Sequence, residues 1–401
     1  MALYVHVPFC VSICPYCDFV VYAGRSARGS GARIEPFLAA LHAELDLRAD
    51  ALESPTRQPG PARPTLRTVY LGGGTPSLLT ARDVAAILDH VARRFGIAAG
   101  AEVTLEANPG PDERGDLAGF AAAGVTRLSL GAQSLAPSEL RRLGRRHAPD
   151  DVLSAISEAR RAGMASVSVD LLYDVPGQTP ASWRETLRRV LEAGVDHVSA
   201  YALTLDDPDA EGLTGPTGDH LPTRPGARAW REQARAEQDE DRAADLYAEA
   251  DGLLTEAGLR WYELSNWARP GHESRHNLAY WHHDPYEAAG PGAHAFDGLG
   301  TRRWNAARLD GYVAALAATP ARLPPGGVEH LDARTLAAEE AILGLRVREG
   351  IGRHVAERPA VAEALRWGRG HGLVEDDPGG RVALTLRGRL LSNELFARLL
   401  P

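Results

Sequence analysis

All three cysteines of this 401-residue chain lie in the segment PFCVSICPYCDF, residues 8–19, just after an apolar run. A disulfide framework uses an even number of cysteines spread along a small secreted chain. Three thiolates as close together as Cys10, Cys14 and Cys17 instead suit the coordination of a soft metal. The chemistry of the protein is therefore expected to be located at this segment.

The spacing CxxxCxxC leaves more than one metal open. A structural zinc site normally uses four protein ligands, but the chain offers only three thiols, and strand alternation points His6 away from them. A cubane iron–sulfur cluster uses one ligand per iron, so three cysteines would leave the fourth iron open to a substrate or cofactor. The cysteines could also be small buried apolar residues. Because the chain has no other cysteine, we favour the cluster.

Length and composition limit the class of protein. A chain of 401 residues is expected to form two units, one of them of barrel size. It shows no leader and no apolar run of the ~20 residues that span a bilayer, so we expect a cytoplasmic protein without an integral membrane segment. The net charge of -9 argues against nucleic acid as a partner. The absence of lysine excludes Schiff-base chemistry and a Walker A loop.

The first half of the chain repeats a strand, loop and helix unit. Strands are predicted at 3–7, 68–71, 102–107, 127–130, 166–171 and 197–203, with amphipathic helices at 35–51, 81–95, 150–162 and 181–193. Gly124, Gly163 and Gly194 are helix stops before the next strand. Strands that alternate with helices predict a parallel sheet, in an α/β barrel or part of one.

Unusual residues follow the carboxyl end of every predicted strand. They are the cysteines, the turn Gly72-Gly73-Gly74-Thr75-Pro76, Glu106, Gln133, Asp170, and Tyr201 with Ala202. In a parallel barrel these strand ends form the face that carries the chemistry. Taken singly, the glycines could only make a tight turn, the carboxylates could cap helices, and Gln133 could be a satisfied rim residue.

These features together resemble the radical S-adenosylmethionine superfamily. There the open iron is chelated by the amino and carboxylate groups of S-adenosylmethionine, which can be cleaved to a 5'-deoxyadenosyl radical. Five segments resemble its coproporphyrinogen oxidase-like branch: YVHVPFCVSICPYCDF (4–19), LGGGTPS (71–77), RLSLGAQS (127–134), SVDLLYDVPGQT (168–179) and SRHNLAYW (274–281). The resemblance implies an α/β fold with a partial (β/α)6 barrel, followed by a C-terminal α+β region.

Two departures separate the chain from oxygen-independent coproporphyrinogen oxidase. That enzyme carries a further cysteine where this chain has Phe19, and an extension ahead of the barrel, whereas this chain starts almost at its first strand. Both differences favour the related HemW-type heme chaperones. The expected function is to bind heme and transfer it to an acceptor protein, with a 4Fe-4S cluster, exchangeable S-adenosylmethionine and an electron donor.

Two alternatives remain open from the sequence. The first is an oxygen-independent coproporphyrinogen III oxidase, which decarboxylates propionates by radical chemistry in porphyrin biosynthesis. The second is a sensor whose cluster is purely structural and which binds no S-adenosylmethionine.

The resemblance also implies roles for individual residues, although none is assigned as catalytic. Cys10, Cys14 and Cys17 match the cluster ligands. Positions around the cluster and the methionine part of the cofactor match Tyr4, Tyr16, Asp18, Gly73, Gly74 and Thr75. Glu106, Gln133 and Asp170 match acceptors at the ribose and methionine groups. Arg145 matches a position near the cofactor carboxylate, and Ala202 one beside the adenosine.

A second dense segment holds the heme candidates. Family members associate heme with an HNxxYW motif, which matches His276, Asn277, Tyr280 and Trp281 here. An imidazole and flat apolar walls suit heme, so His276 is the first candidate for an axial ligand. Secondary candidates are His272, His282, His283 and His294. The alternative is that these side chains only pack the sheet edge.

The chain is expected to divide into four parts. Residues 1–205 form the partial barrel with the cluster, and 206–245, rich in Gly, Pro, Asp and Arg, form a linker or flexible insertion. Residues 246–325 are expected to cap the barrel and to carry the heme motif. Residues 326–401 read as helices, a hairpin and a closing helix, a winged-helix-like module for packing or partner docking.

Overall fold

The computed structural model describes residues 1–24, 33–53, 65–205 and 208–400. Its strands, in chain order, are β1 (Ala2–Val7), β2 (Phe9–Cys10), β3 (Tyr22–Ala23), β4 (Leu66–Gly73), β5 (Ile97–Ala107), β6 (Arg127–Gln133), β7 (Ser166–Tyr173), β8 (His197–Ala202), β9 (Arg260–Glu263), β10 (Asn266–Ala268), β11 (Tyr286–Ala289), β12 (His294–Phe296), β13 (Thr301–Asn305), β14 (Gly326–His330), β15 (Val374–Asp376) and β16 (Val382–Leu384).

The α-helices are α1 (Ile34–Glu53), α2 (Ala81–Phe95), α3 (Leu117–Ala122), α4 (Pro137–Arg142), α5 (Pro149–Arg161), α6 (Pro180–Glu192), α7 (Pro225–Glu237), α8 (Glu240–Glu256), α9 (Arg275–Trp281), α10 (Leu309–Leu316), α11 (Ala333–Arg346), α12 (Arg353–Ala356), α13 (Pro359–Gly370), α14 (Leu386–Leu390) and α15 (Ser392–Phe396). A short 3-10 helix, Pro76–Leu78, follows β4.

One 12-stranded sheet organises the molecule, in the order β14-β13-β12-β11-β1-β4-β5-β6-β7-β8-β10-β9. The six strands predicted from the sequence lie side by side and pair in parallel. Strand β11 adds a further parallel strand on the other side of β1, and the remaining strands extend both edges in antiparallel pairs. Among the described strands β14 and β9 are the two ends of the sheet, so the expected α/β fold with a partial barrel is confirmed.

The helices pack on this sheet for reasons that are visible in the sequence. Thr80 and Asp83 form a reciprocal capping box at the start of α2, with hydrogen bonds of 3.0 and 3.1 Å. The buried side chains of this helix, at helical spacing, are Val84, Ile87, Leu88, Val91 and Phe95. They join the apolar strands in one core that runs beneath the whole parallel sheet.

The segment for which a linker is expected is largely ordered in its described part. Helix α7 begins with Pro225 at its first position and packs Trp230 and Ala234 against the loop that follows β8. Arg231 on the same helix is only 4% exposed. Because α7 buries Arg231 together with Ala234 rather than a stripe of large apolar side chains, its sequence shows no clear apolar period. The helix was therefore not predicted. Residues 206 and 207 lie outside the described residues.

The last part of the chain forms helices and the expected hairpin. Strands β15 and β16 pair in an antiparallel ribbon, and together with α11, α13 and α15 they enclose a separate small core. The four-part division of the chain and the winged-helix-like character of this end stay predictions. None of the helices in the described parts of the chain combines the length and apolar character that crossing a bilayer requires.

A buried carboxylate connects the first helix to the antiparallel arm of the sheet. Glu44 is fully buried on α1 and accepts hydrogen bonds from Tyr312 Oη at 2.8 Å, Asn305 Nδ2 at 2.7 Å and the Gly290 backbone N–H at 2.9 Å. Arg48 adds an ion pair at 3.2 Å. Four donors around one carboxylate compensate its removal from water.

Replacing Glu44 with Ala is expected to lower the free energy of unfolding by about 3–5 kcal/mol, because several buried donors lose their acceptor. The measurement is urea unfolding of the purified protein. Glu35→Gln, at an exposed position of the same helix, is the matched control and should change stability by less than about 1 kcal/mol. Equal effects of the two substitutions would contradict this role of Glu44.

Candidate cofactor site

The three thiols lie in a loop that the chain closes on itself. This cysteine loop, residues 10–21, leaves β2 and returns to β3, which pairs with β2 in parallel. The Tyr22 N–H donates to Pro8 O at 2.7 Å, and the Cys17 N–H donates to Cys14 O at 3.2 Å. The loop is therefore held at its base and turned at its centre.

The glycine turn after β4 packs directly on this loop. The Gly74 N–H donates to Val7 O at 2.9 Å, and the Thr75 N–H donates to Phe9 O at 2.7 Å. A Cβ atom on Gly74 would lie 2.6 Å from Phe9 O, too close for any other residue. Gly73 has a φ of 104°, and a Cβ there would meet the His6 ring. The close approach explains why glycine stands at both positions.

The surroundings of the thiols decide their charge. Thr75 Oγ1 donates to Cys10 Sγ at 3.4 Å, and Arg145 Nη1 donates to Cys14 Sγ at 3.6 Å. Burial nevertheless raises the pKa of Cys10 to about 11 and also raises that of Cys17. These two thiols are neutral without a metal, and a bound cation would convert them to thiolates.

A cavity of about 480 Å³ extends from the cysteine loop across the carboxyl ends of the strands. It brings together most of the residues that the sequence singled out: Cys10, Cys14, Tyr16, Cys17, Asp18, Gly73, Gly74, Thr75, Glu106, Gln133, Arg145, Asp170, Ala202 and Asn277. They come from the cysteine loop, from β4 to β8 and the segments that follow these strands, and from α9, which confirms the expectation that the strand ends share one face.

Two carboxyl groups face this cavity from β5 and β7, on either side of β6. Glu106 accepts hydrogen bonds from Tyr70 Oη at 2.8 Å and from the Gly73 N–H at 2.9 Å. Removal from water raises its pKa to about 7, and the same cause raises the pKa of Asp170. Asp170 accepts from Ser129 Oγ at 3.0 Å. Both groups would gain from a ligand that brings hydroxyl or ammonium donors.

Arg145 lies between the thiols and the strand ends. It donates to Asn108 Oδ1 and Gly131 O as well as to Cys14. Its buried Nε has no partner among the residues that the structure describes. Gln133 adopts a left-handed φ of 67° at an irregularity of the β6–β7 pairing. Such backbone strain is typical of functional sites.

Several residues of the cavity were not singled out as site residues from the sequence. Tyr70 and Asn108 each lie two residues from one that was, and Ser129 lies four residues before Gln133, so the period of two in a strand could have indicated them. Arg231 gave no such signal. It donates to Tyr16 O at 3.3 Å and Cys17 O at 3.0 Å, from a helix far along the chain.

The predicted heme motif is divided between two environments. His276 is 1% exposed, and both its nitrogens are engaged, Nδ1 with Thr68 Oγ1 at 2.9 Å and Nε2 with Tyr280 Oη at 2.8 Å. Burial lowers its pKa to about 3. Both nitrogens of His276 are thus engaged in this structure, and its role as an axial ligand stays a prediction. Asn277 instead faces the cofactor cavity.

The other residues of the motif line a second cavity, of about 640 Å³. Tyr280 and Trp281 lie in its wall together with Tyr4, which the sequence placed at the first cavity. An aromatic group separates the two spaces: the Tyr70 ring lies 5.0 Å from that of His276 and 6.0 Å from that of Tyr4. Of the secondary heme candidates, His283 and His294 line the second cavity.

Comparisons with known proteins agree with this architecture. Residues 4–190 match the radical SAM superfamily. The chain is 41% identical over 400 residues to the heme chaperone HemW of Mycobacterium tuberculosis strain H37Rv, covering 99% of this chain and 94% of that protein. It is 34% identical over 294 residues to the Escherichia coli K12 heme chaperone HemW, covering 73% and 69% of the two chains.

A solved structure supports the fold alone. The coproporphyrinogen III oxidase HemN of Escherichia coli, described as a radical SAM enzyme, superposes with a TM-score of 0.79 at 22% sequence identity. The superposition covers 99% of this chain and 89% of that protein.

Replacing Arg231 with Ala is expected to reduce the iron that the cysteines retain, because three backbone carbonyls of the cysteine loop lose their donor. Iron per chain is measured after anaerobic reconstitution and gel filtration. The matched control is Arg228→Ala, one turn earlier on α7, which removes a bond to Asp209. Equal iron retention by the two variants would show that Arg231 does not position the loop.

Proposed function

Because the chain belongs to the HemW family of the radical SAM superfamily, we propose that it is a heme chaperone. It binds heme and transfers it to an acceptor protein, and it carries a 4Fe-4S cluster with exchangeable S-adenosylmethionine. The observation that carries this proposal is the 41% identity over nearly the whole chain to a relative of that name.

The donor set at the cysteine loop fits an iron–sulfur cluster. Cys10, Cys14 and Cys17 line the same cavity beside the glycine turn, and thiolate is the ligand such clusters use. When bound, the cluster would supply electrons and one iron open to the amino and carboxylate groups of S-adenosylmethionine. Thr75 Oγ1 and Arg145 Nη1 already donate to two of the sulfurs, which would stabilise their negative charge.

The remaining groups of the cavity suit S-adenosylmethionine. Arg145 presents an unpartnered Nε, among the described residues, and a guanidinium that suits a carboxylate. Glu106 and Asp170 offer acceptors for ribose hydroxyls or for the N–H groups of the amino group, and Gln133 adds an amide. Ala202 leaves room beside an adenine at the end of β8. No residue is assigned a catalytic role.

Phe19 supports a carrier over an oxidase. It lies two residues after the third cysteine, where oxygen-independent coproporphyrinogen oxidase is expected to have a further cysteine, and it is 61% exposed. Phe19 and Asp18 line both cavities. An apolar side chain at this place supplies no donor for a metal or a proton, but it can cover a flat apolar ligand.

The proposal implies further partners. A heme-accepting protein must take the cargo, and an electron donor must reduce the cluster if the radical cofactor is cleaved. We place the protein in the cytoplasm, where the reducing environment keeps thiols available for iron. The proposed function involves no nucleic acid and no membrane-spanning helix among the described residues.

The affinity for S-adenosylmethionine is expected to rise about tenfold from about pH 6 to about pH 8 through Glu106. Its carboxyl, with a pKa of about 7, changes from mostly neutral to mostly ionised across this range. A ligand with amino N–H and hydroxyl donors favours the ionised form, so binding releases the proton of a neutral Glu106. The measurement is anaerobic titration calorimetry of the cluster-loaded protein at each pH.

Glu106→Gln is the variant that isolates this effect. The amino group of the cofactor titrates in a similar range, but it does so equally with both proteins, so the ratio of wild-type to variant affinity reports Glu106 alone. A ratio that stays constant with pH would remove Glu106 from the binding site.

The carrier and the oxidase predict different stoichiometry. We expect heme titration, followed at the Soret band, to saturate near about one heme per chain, and incubation with coproporphyrinogen, S-adenosylmethionine and dithionite to give no repeated turnover. Cys14→Ser should keep heme binding while losing the cluster. Protoporphyrinogen formed over many turnovers by the wild type but not by Cys14→Ser would establish the oxidase instead.

A further inference from the structure

The second cavity contains a pair of imidazoles bridged by one carboxylate. His220 Nδ1 lies 3.0 Å from Asp219 Oδ1, and His294 Nε2 lies 2.8 Å from Asp219 Oδ2. All three residues line the cavity. The bridging group joins a loop ahead of α7 to strand β12, so it exists only in the folded chain.

The carboxylate determines which nitrogen each ring presents. Each of its two oxygens faces one ring, Oδ1 the Nδ1 of His220 and Oδ2 the Nε2 of His294. An ionised Asp219 accepts an N–H from each imidazole. His220 is thereby left with Nε2, and His294 with Nδ1, as the nitrogen for a metal. Histidines that bind metals commonly donate their other N–H to a carboxylate in this way.

The walls of the same cavity are aromatic and closely packed. Tyr280 and Tyr286 meet edge to face with ring centroids 4.5 Å apart. His283 stacks on Phe296 at 4.4 Å with an angle of 8° between the rings. Such surfaces suit a flat, largely apolar ligand.

The number of ligands favours a metalloporphyrin over a bare ion. Two imidazoles are fewer than the three or four protein ligands of a usual zinc site. Iron in a porphyrin brings four nitrogens of its own and takes only one or two axial ligands from the protein. Arg302 also lines the cavity, and its guanidinium can pair with a propionate, although it now contacts Glu339.

We propose that the second cavity is the heme site and that the His220–Asp219–His294 group supplies the axial ligand. This inference rests on the proposed function and deepens it, because it places the cargo in a cavity separate from the one that holds the cysteines. Asp18 and Phe19 line both cavities, so the cargo lies next to the cysteine loop. The motif residues Tyr280 and Trp281 form the wall, whereas His276 supports Tyr280 from behind.

The test is an anaerobic titration of the cluster-loaded full chain with ferrous heme, followed at the Soret band. The double variant His220→Ala/His294→Ala is expected to bind heme more than tenfold more weakly and with a shifted band. Asp219→Asn should weaken heme about 10- to 100-fold through the orientation of the rings. Added imidazole should restore the band of the double variant. The control is His354→Ala, whose side chain is 75% exposed on α12.

A second probe tests binding in the cavity independently of the axial ligand. Metal-free protoporphyrin needs no axial nitrogen. The double variant should therefore still bind it, as measured by the change in porphyrin fluorescence. Leu343→Trp, which fills the cavity lined by this residue, should abolish protoporphyrin and heme binding together. Iron content and circular dichroism verify that each variant is folded and keeps its cluster.

The outcomes distinguish a failure of the proposed heme site from a failure of the proposed function. A wild-type protein that binds no heme would overturn the proposed function and this inference with it. A wild-type protein that binds heme, with unchanged affinity and Soret band in the double variant, would overturn only the axial ligand assignment. Unchanged heme binding by Leu343→Trp would place the heme outside this cavity.

Discussion

The contact between the glycine turn and the cysteine loop is the constraint on which the rest of the site depends. Gly74 approaches Phe9, the first residue of β2, so closely that a Cβ atom on it would collide with the Phe9 backbone. Because the backbones touch, the Thr75 hydroxyl reaches Cys10 and the Gly73 N–H reaches Glu106. One turn thus ties the predicted cluster ligands to the carboxylate of the next strand.

The loop needs support on its other side as well. It carries two partly buried thiols whose pKa is raised by desolvation, so they stay neutral until a metal binds. Helix α7 supplies that support through Arg231, whose guanidinium satisfies backbone carbonyls that the loop leaves unbonded. A segment that reads as irregular in the sequence is therefore part of the site.

The two cavities share a wall, and this arrangement relates the cofactor site to the proposed cargo site. Tyr70 bonds to Glu106 on one side, His276 occupies the centre, and Tyr280 reaches the other side. The predicted heme motif forms part of this shared wall: both ring nitrogens of its histidine are hydrogen-bonded, while its asparagine and its aromatic residues face different spaces.

Much of this protein follows from the sequence alone. Hydrophobic runs and glycine stops located six parallel strands to within a few residues, and strand alternation with the carboxyl-end rule gathered Glu106, Gln133 and Asp170 on one face. These features are local in the sequence, and the carboxyl ends of parallel strands all lie at the same edge of the sheet. Tertiary structure alone decided the rest. Arg231 meets the cysteine loop, and Asp219 meets His294, only because distant segments fold together, and no local period encodes such a meeting. The same limit applies to His276, because the sequence does not show which partners its ring nitrogens meet in the folded chain.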